Sequence, residues 1–172
     1  MASESIQSVY ATALRNTHAL EQEALQAMER QVERLTDYPE VKQALTQHIE
    51  ETKRQQERLE TALSGLGESV SSVKEAVMGL MGSMAAMAHM PAQDEILKNT
   101  FANSAIEAYE IAAYTSLLTI AEAAGDHASI PAFRQSLAEE EAMAARIRSM
   151  ADAITTKYLS LTTSGDAAQA ST

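Results

Sequence analysis

Cysteine is absent from this chain, and so is tryptophan; three prolines, six glycines and 4% aromatic side chains complete a short list of scarcities. The lack of cysteine excludes disulfides and thiolate metal sites. With so little glycine and proline, and no run that alternates apolar and polar residues, sheet-rich folds are excluded. No apolar run is long and clean enough to span a bilayer; the Met-rich stretch from Val77 to Met90 is too short. The opening residues, Met1 to Ser5, offer neither a basic segment nor an apolar one, so no signal peptide is expected and the protein reads as cytoplasmic. Basic residues are also scarce: 13 against 24 acidic ones give a net charge of −11, which disfavours nucleic acid and anionic membranes as partners. A glycine-rich phosphate loop is missing, and four scattered histidines support no nucleophilic triad.

What the chain does have is helix formers. Hydrophobic residues make up 45% of it, with Ala, Leu, Met, Glu and Gln prominent, so the expected fold is all-α with a sizeable core. Leu14, His18, Glu21, Leu25, Met28, Val32 and Leu35 recur at spacings of three and four, predicting a first helix over about 3–35. Thr36-Asp37-Tyr38-Pro39 reads as a turn, and a second helix follows to Ser64, with Val41, Leu45, His48, Ile49, Thr52, Leu59 and Leu63 inward. Gly65 is expected to take the left-handed cap.

A short Met-rich helix is expected over 71–90. Asp94 then caps a helix from Glu95 to Ala124, and Ser129 caps one from about Ile130 to Tyr158. The architecture that follows is two antiparallel hairpins joined by a long crossover carrying an extra short helix, a ferritin-like four-helix bundle over 3–160 with a flexible tail over 161–172. Met78, Met81, Met84, Met87 and Met90 recur every third residue in the crossover. That spacing spreads them around the helix, so they read as adaptable packing and as a candidate homodimer interface rather than a thioether site for copper.

Glu107 and Glu110 stand out against this background. They lie one turn apart on one side of the apolar segment Ala105-Ile106-Glu107-Ala108-Tyr109-Glu110-Ile111-Ala112-Ala113-Tyr114. Two like charges buried together require a cation or protons. Counting from each hairpin turn at about 1.5 Å per residue puts Glu21, Glu51, Glu110 and Glu140 at one level of the bundle, roughly 15–21 Å from their turns. Glu21 shares the stripe of Leu14 and Met28. Glu140, and not Glu139 or Glu141, falls on the seam of Leu137, Met143 and Ile147. His48 is on the inner face, with Glu51 three residues on, close enough for both to reach one ion. The candidate metal ligands are therefore Glu21, His48, Glu51, Glu107, Glu110 and Glu140, an oxygen-rich set suited to two iron ions or, alternatively, manganese. His18 reads as a satisfied core residue or an outer partner, and Tyr109 and Tyr114 as neighbours able to hydrogen-bond.

The segments "NTHALEQEALQAMERQ", "HIEETKRQQERLETAL", "IEAYEIAAYTSLLTIAEAAGD" and "LAEEEAMA" resemble the four helices of the YciE/YciF-type ferritin-like family of bacterial stress proteins. The resemblance runs from about Tyr10 to Tyr158 and implies a four-helix bundle, a di-metal centre and a dimer, with the motif positions on the same six residues. It departs from the broader ferritin-like pattern, which has Glu-x-x-His on two helices. Here the second helix has His48-x-x-Glu51 in reverse order, the third has Glu-x-x-Glu, and the last has no His near Glu140. Fewer imidazoles shift the expected site towards harder metals. Two functions follow as expectations: a di-metal carboxylate protein in stress protection or redox chemistry, or a metal-free dimeric bundle acting through interactions.

Overall fold

The computed structural model describes residues 5–68 and 94–165. They form four helices: α1 (Ile6–Arg34), α2 (Pro39–Gly65), α3 (Glu95–Ala124) and α4 (Ile130–Ser164). The expected Met-rich crossover helix, its methionine stripe and the tail beyond residue 165 lie outside the described residues. No described helix is long and apolar enough to cross a membrane.

Helix termini set the hairpins. Ser5 caps α1 by accepting from the backbone N–H of Ser8. The residue that ends α2 in the left-handed region is Gly67, two beyond the expected Gly65: its N–H bonds the Ser64 carbonyl and that of Glu68 bonds Leu63, the paired closure of a Schellman turn. Gly125 closes α3 the same way, with Asp126 N–H on the Ala121 carbonyl. Neither Ser129 nor Asp94 caps through its side chain. The Ser129 hydroxyl instead donates to Asp126, whose other carboxylate oxygen accepts the Ser129 N–H, and Asp94 pairs with Lys98 at 2.7 Å. Helix α4 runs six residues past the expected Tyr158, to Ser164. Inside the expected span, Lys157 donates to the Asp37 carbonyl and sits 4.8 Å from the Tyr38 ring centroid, tying α4 to the α1–α2 turn.

Directions follow from the ends. Gln7 and Tyr10, early in α1, reach Ala124 and Asp126 at the end of α3, while Arg34 pairs with Glu95 at its start. So α3 is antiparallel to α1 and parallel to α2, and α1 packs between α2 and α3 while α4 packs between the same two. Tyr10 is fully buried, and its hydroxyl donates to Asp126 at 2.7 Å, a carboxylate held below its usual range, despite partial burial, by Ser129 and Tyr10. Tyr10→Phe is expected to cost about 1.5–3 kcal/mol, the worth of a hydrogen bond to a charged group, measured by urea unfolding.

The core falls into two parts. One, around Leu25, Met28, Tyr38, Leu45 and Ile147, fills the end nearer the α1–α2 turn. The other, around Tyr10, Leu14, Leu59, Leu63, Leu117 and Phe133, fills the opposite end. Between them the inward positions turn polar.

Candidate metal centre

The polar layer is built one side chain per helix turn. Each element continues its apolar stripe with a residue that ionises: Glu21 between Leu14 and Met28 on α1, Glu107 and Glu110 between Ile106 and Tyr114 on α3, and Glu140 between Phe133 and Ile147 on α4. On α2 the stripe passes through His48, Thr52, Gln55 and Leu59. Glu21, Glu107, Glu110, Glu140 and His48 are all within 2% of complete burial. Among the described residues, His48, Glu107 and Glu140 bring ligand atoms within 4.8 Å of one another. His48 Nε2 is 3.3 Å from Glu140 Oε2 and 3.6 Å from Glu107 Oε1. Glu21 is held by the Tyr114 hydroxyl at 2.6 Å, and Gln55 donates to Glu140.

The structure places Glu51 differently from the other five. It contacts Nδ1 of His48 at 3.0 Å, the ring nitrogen facing away from the carboxylates, and its side chain is 20% exposed. One ion cannot take both His48 Nε2 and this carboxylate in such an arrangement. This contact, a carboxylate on the far ring nitrogen, is the arrangement in which outer carboxylates commonly orient ligating histidines. His18 is a satisfied residue, bonded to Glu60 at 3.0 Å, and Glu141 and His127 are exposed. Tyr109 is 45% exposed on the outer side of α3, so only Tyr114 of the two expected tyrosines reaches the layer.

Gln55 was not among the expected residues. It sits beside Gln56 in a run that reads as a solvated face, yet the spacing His48, Thr52, Gln55, Leu59 is an inward stripe and could have revealed it.

Several buried oxygens in the layer lack a hydrogen-bond partner: Glu21 Oε2, Thr52 Oγ1, Gln55 Oε1, Glu107 Oε2, Glu140 Oε2 and both oxygens of Glu110. Native proteins leave few such atoms. The electrostatics carry the same tension. Burial, then the charge of Glu140, lifts Glu21 to about 8 against the pull of the Tyr114 hydroxyl. Burial lifts Glu107 to about 9 although His48 opposes it. Glu110 rises well above the carboxylate range through burial and the charges of Glu21, Glu140 and Glu107. Burial pushes His48 down, but its contact with Glu140 and the charges of Glu107, Glu140 and Glu51 outweigh this and raise it to about 10. Without a cation, protons must occupy this layer at neutral pH.

The donor set fits metal ions. Four buried carboxylates and an imidazole from four helices converge, and the unpartnered atoms are acceptors, which a cation satisfies. His48, Glu107 and Glu140 would form a position for an ion. Glu21, Glu110 and the Gln55 carbonyl add further oxygens to the same layer.

Comparison with known proteins agrees with this architecture. The family profile of the domain of unknown function DUF892 matches residues 5–160. A protein from Xanthomonas campestris pv. campestris is 26% identical, with 91% of this chain and 97% of that one covered and a TM-score of 0.76. The E. coli stress protein YciF is 25% identical over 87% of this chain and 96% of its own, with a TM-score of 0.73. YcfI from Rhodopseudomonas palustris gives 26% identity, coverage of 84% and 93%, and a TM-score of 0.68.

Proposed function

The chain belongs to the DUF892 family, of YciE/YciF type, and we propose that this member holds two iron or manganese ions in its buried polar layer and serves in stress protection through redox or metal-oxidation chemistry. One observation carries the reading: Glu110, fully buried with neither oxygen hydrogen-bonded, shares its layer with the three further carboxylates of Glu21, Glu107 and Glu140. Such a residue is costly in a bundle that works by packing alone. Two divalent ions would balance the four buried carboxylates, held by Glu21, Glu107, Glu110 and Glu140 with His48. Bound iron or manganese would supply electron transfer to small oxidants.

The remaining side chains do the positioning. Glu51 fixes the His48 ring so that Nε2 points inward. Tyr114 holds one oxygen of Glu21 and leaves the other free. Gln55 orients Glu140 through its amide N–H and turns its carbonyl to the same layer. The stress role rests on kinship with YciF and on a site suited to intercepting metal or peroxide.

Metal titration tests the reading. Protein stripped with chelator and reloaded anaerobically with Fe(II) or Mn(II) is expected to retain about two ions per chain after desalting, as for a dinuclear carboxylate site. Retention below one ion per chain sinks it in favour of the metal-free bundle.

A further inference from the structure

A buried ion must get in, and the surface between α2 and α4 shows where. A groove of about 270 Å³ opens there to solvent, lined by Ala44, Ala138 and Ala142, by Glu51 and Glu139, and by Met143 and Arg146, the last of which donates to Gln47 at 3.1 Å. Met143 is buried and sits on α4 one turn beyond Glu140. Two short contact chains lead from this groove to the polar layer. Glu51 contacts His48, and His48 contacts Glu107 and Glu140. Glu139 accepts from Gln55 at 3.1 Å, and Gln55 also donates to Glu140. Glu21 is bonded instead by Tyr114, which is itself fully buried.

The two groove carboxylates are not equivalent. Glu139 is clamped by both terminal nitrogens of Arg58, at 2.6 and 3.1 Å, so its charge is matched. Among the described residues Glu51 meets the Gln47 amide with one oxygen and the His48 ring with the other, no guanidinium clamps it, and it stays partly open to solvent. Alanines on both helices leave room for a partly hydrated ion, and the methionine can shift because its unbranched side chain has three rotatable bonds.

We propose that the α2–α4 groove is the portal by which hydrated divalent cations reach the buried layer, with Glu51 as the carboxylate that receives them and Met143 as the side chain that yields. The proposal rests on the metal reading above and adds a route and a receiving residue to it. Glu51 thereby has a use beyond orienting His48, which explains why it is 20% exposed while the other carboxylates at its level are closed off.

The test separates the rate of loading from its extent. Co(II) is mixed with the chelator-stripped full chain in a stopped-flow instrument, and its visible absorption is followed. Ala138→Leu/Ala142→Leu narrows the groove at two exposed positions of α4, where leucine is a good helix former. Loading is expected to slow by about tenfold or more, equivalent to a barrier raised by ~1.4 kcal/mol, with final cobalt per chain unchanged. Glu51→Gln leaves the groove open and removes its carboxylate, and is expected to slow loading several-fold; because Glu51 also orients His48, the single exposed substitution Ala142→Leu, and not Glu51→Gln, decides the matter if the double leucine variant does not fold. Parental rates in these variants overturn the portal while leaving the metal site intact. A parent that takes up no cobalt overturns the site itself.

Discussion

Glu110→Met is expected to move stability in opposite directions with and without metal. In chelator the variant should melt higher than the parent, because a buried carboxyl whose oxygens find no partner is replaced by an apolar side chain of similar reach. Replacing buried ionic groups in this way gains about 1–4 kcal/mol. For a chain of this size each kcal/mol shifts the melting temperature by about 2–4 °C. With saturating Mn(II) the order should reverse. Ligand at about a thousand times its dissociation constant stabilises by ~4 kcal/mol, so the parent should rise by about 8–16 °C and the variant by far less. Differential scanning calorimetry in EDTA and in Mn(II) reads both halves. A variant that melts lower than the parent in EDTA would show that Glu110 is satisfied by something other than a cation. A parent that ignores Mn(II) would remove the ion from the site.

The opposite signs matter because a merely structural role cannot produce them. A packing residue destabilises both states when altered, and a surface charge changes neither much. Glu110 is the sharpest position for this comparison because none of its neighbours offers a compensating charge. Glu107 and Glu140 have His48, and Glu21 has Tyr114, so their substitution disturbs partners as well as ions.

Much of this arrangement was legible in the residues. The bundle, the hairpin turns and the inward direction of Glu21, His48, Glu107, Glu110 and Glu140 all follow from helical periodicity, because an acidic residue on an apolar stripe has nowhere else to point. The single level of the carboxylates followed from helical rise alone. Three features did not follow. Which nitrogen of His48 faces Glu51 depends on a side-chain rotation that spacing cannot encode. Gln55 was hidden because an amide carries no charge and raises no alarm in a polar run. Helix α4 continues to a left-handed Gly165, through Thr162 and Thr163, whose weak helix preference gives no sign of the extra turns.

In the absence of metal, stability is expected to fall as pH rises from about 5.5 to 8.5, by several kcal/mol, or ~10 °C in melting temperature. The sign follows from which state holds the protons. In the folded chain Glu21 and Glu107 are raised to about 8 and about 9, against 4.5 for the free side chain. Their contribution is fully present below pH 4.5 and is lost as pH climbs through those raised values, since the unfolded chain gives up its protons first. Glu110, also raised, adds to the same slope. His48 is a base and yet acts in the same direction: raised from 6.5 to about 10, it binds its proton more tightly when folded, and that stabilisation is full below 6.5 and gone above about 10. Between pH 6.5 and 8 the acids and the imidazole lose ground together, so the decline should be steepest there. Metal inverts the dependence, because Mn(II) competes with protons for the same oxygens and binds better as they leave. Melting curves at pH 5.5, 7 and 8.5 should therefore slope downward in EDTA and flatten or turn upward in saturating Mn(II). A metal-free profile that is level or rising with pH would mean that the layer holds no shared protons. The unpartnered oxygens would then have to be satisfied by ordered water, and the case for paired ions would lose its electrostatic half.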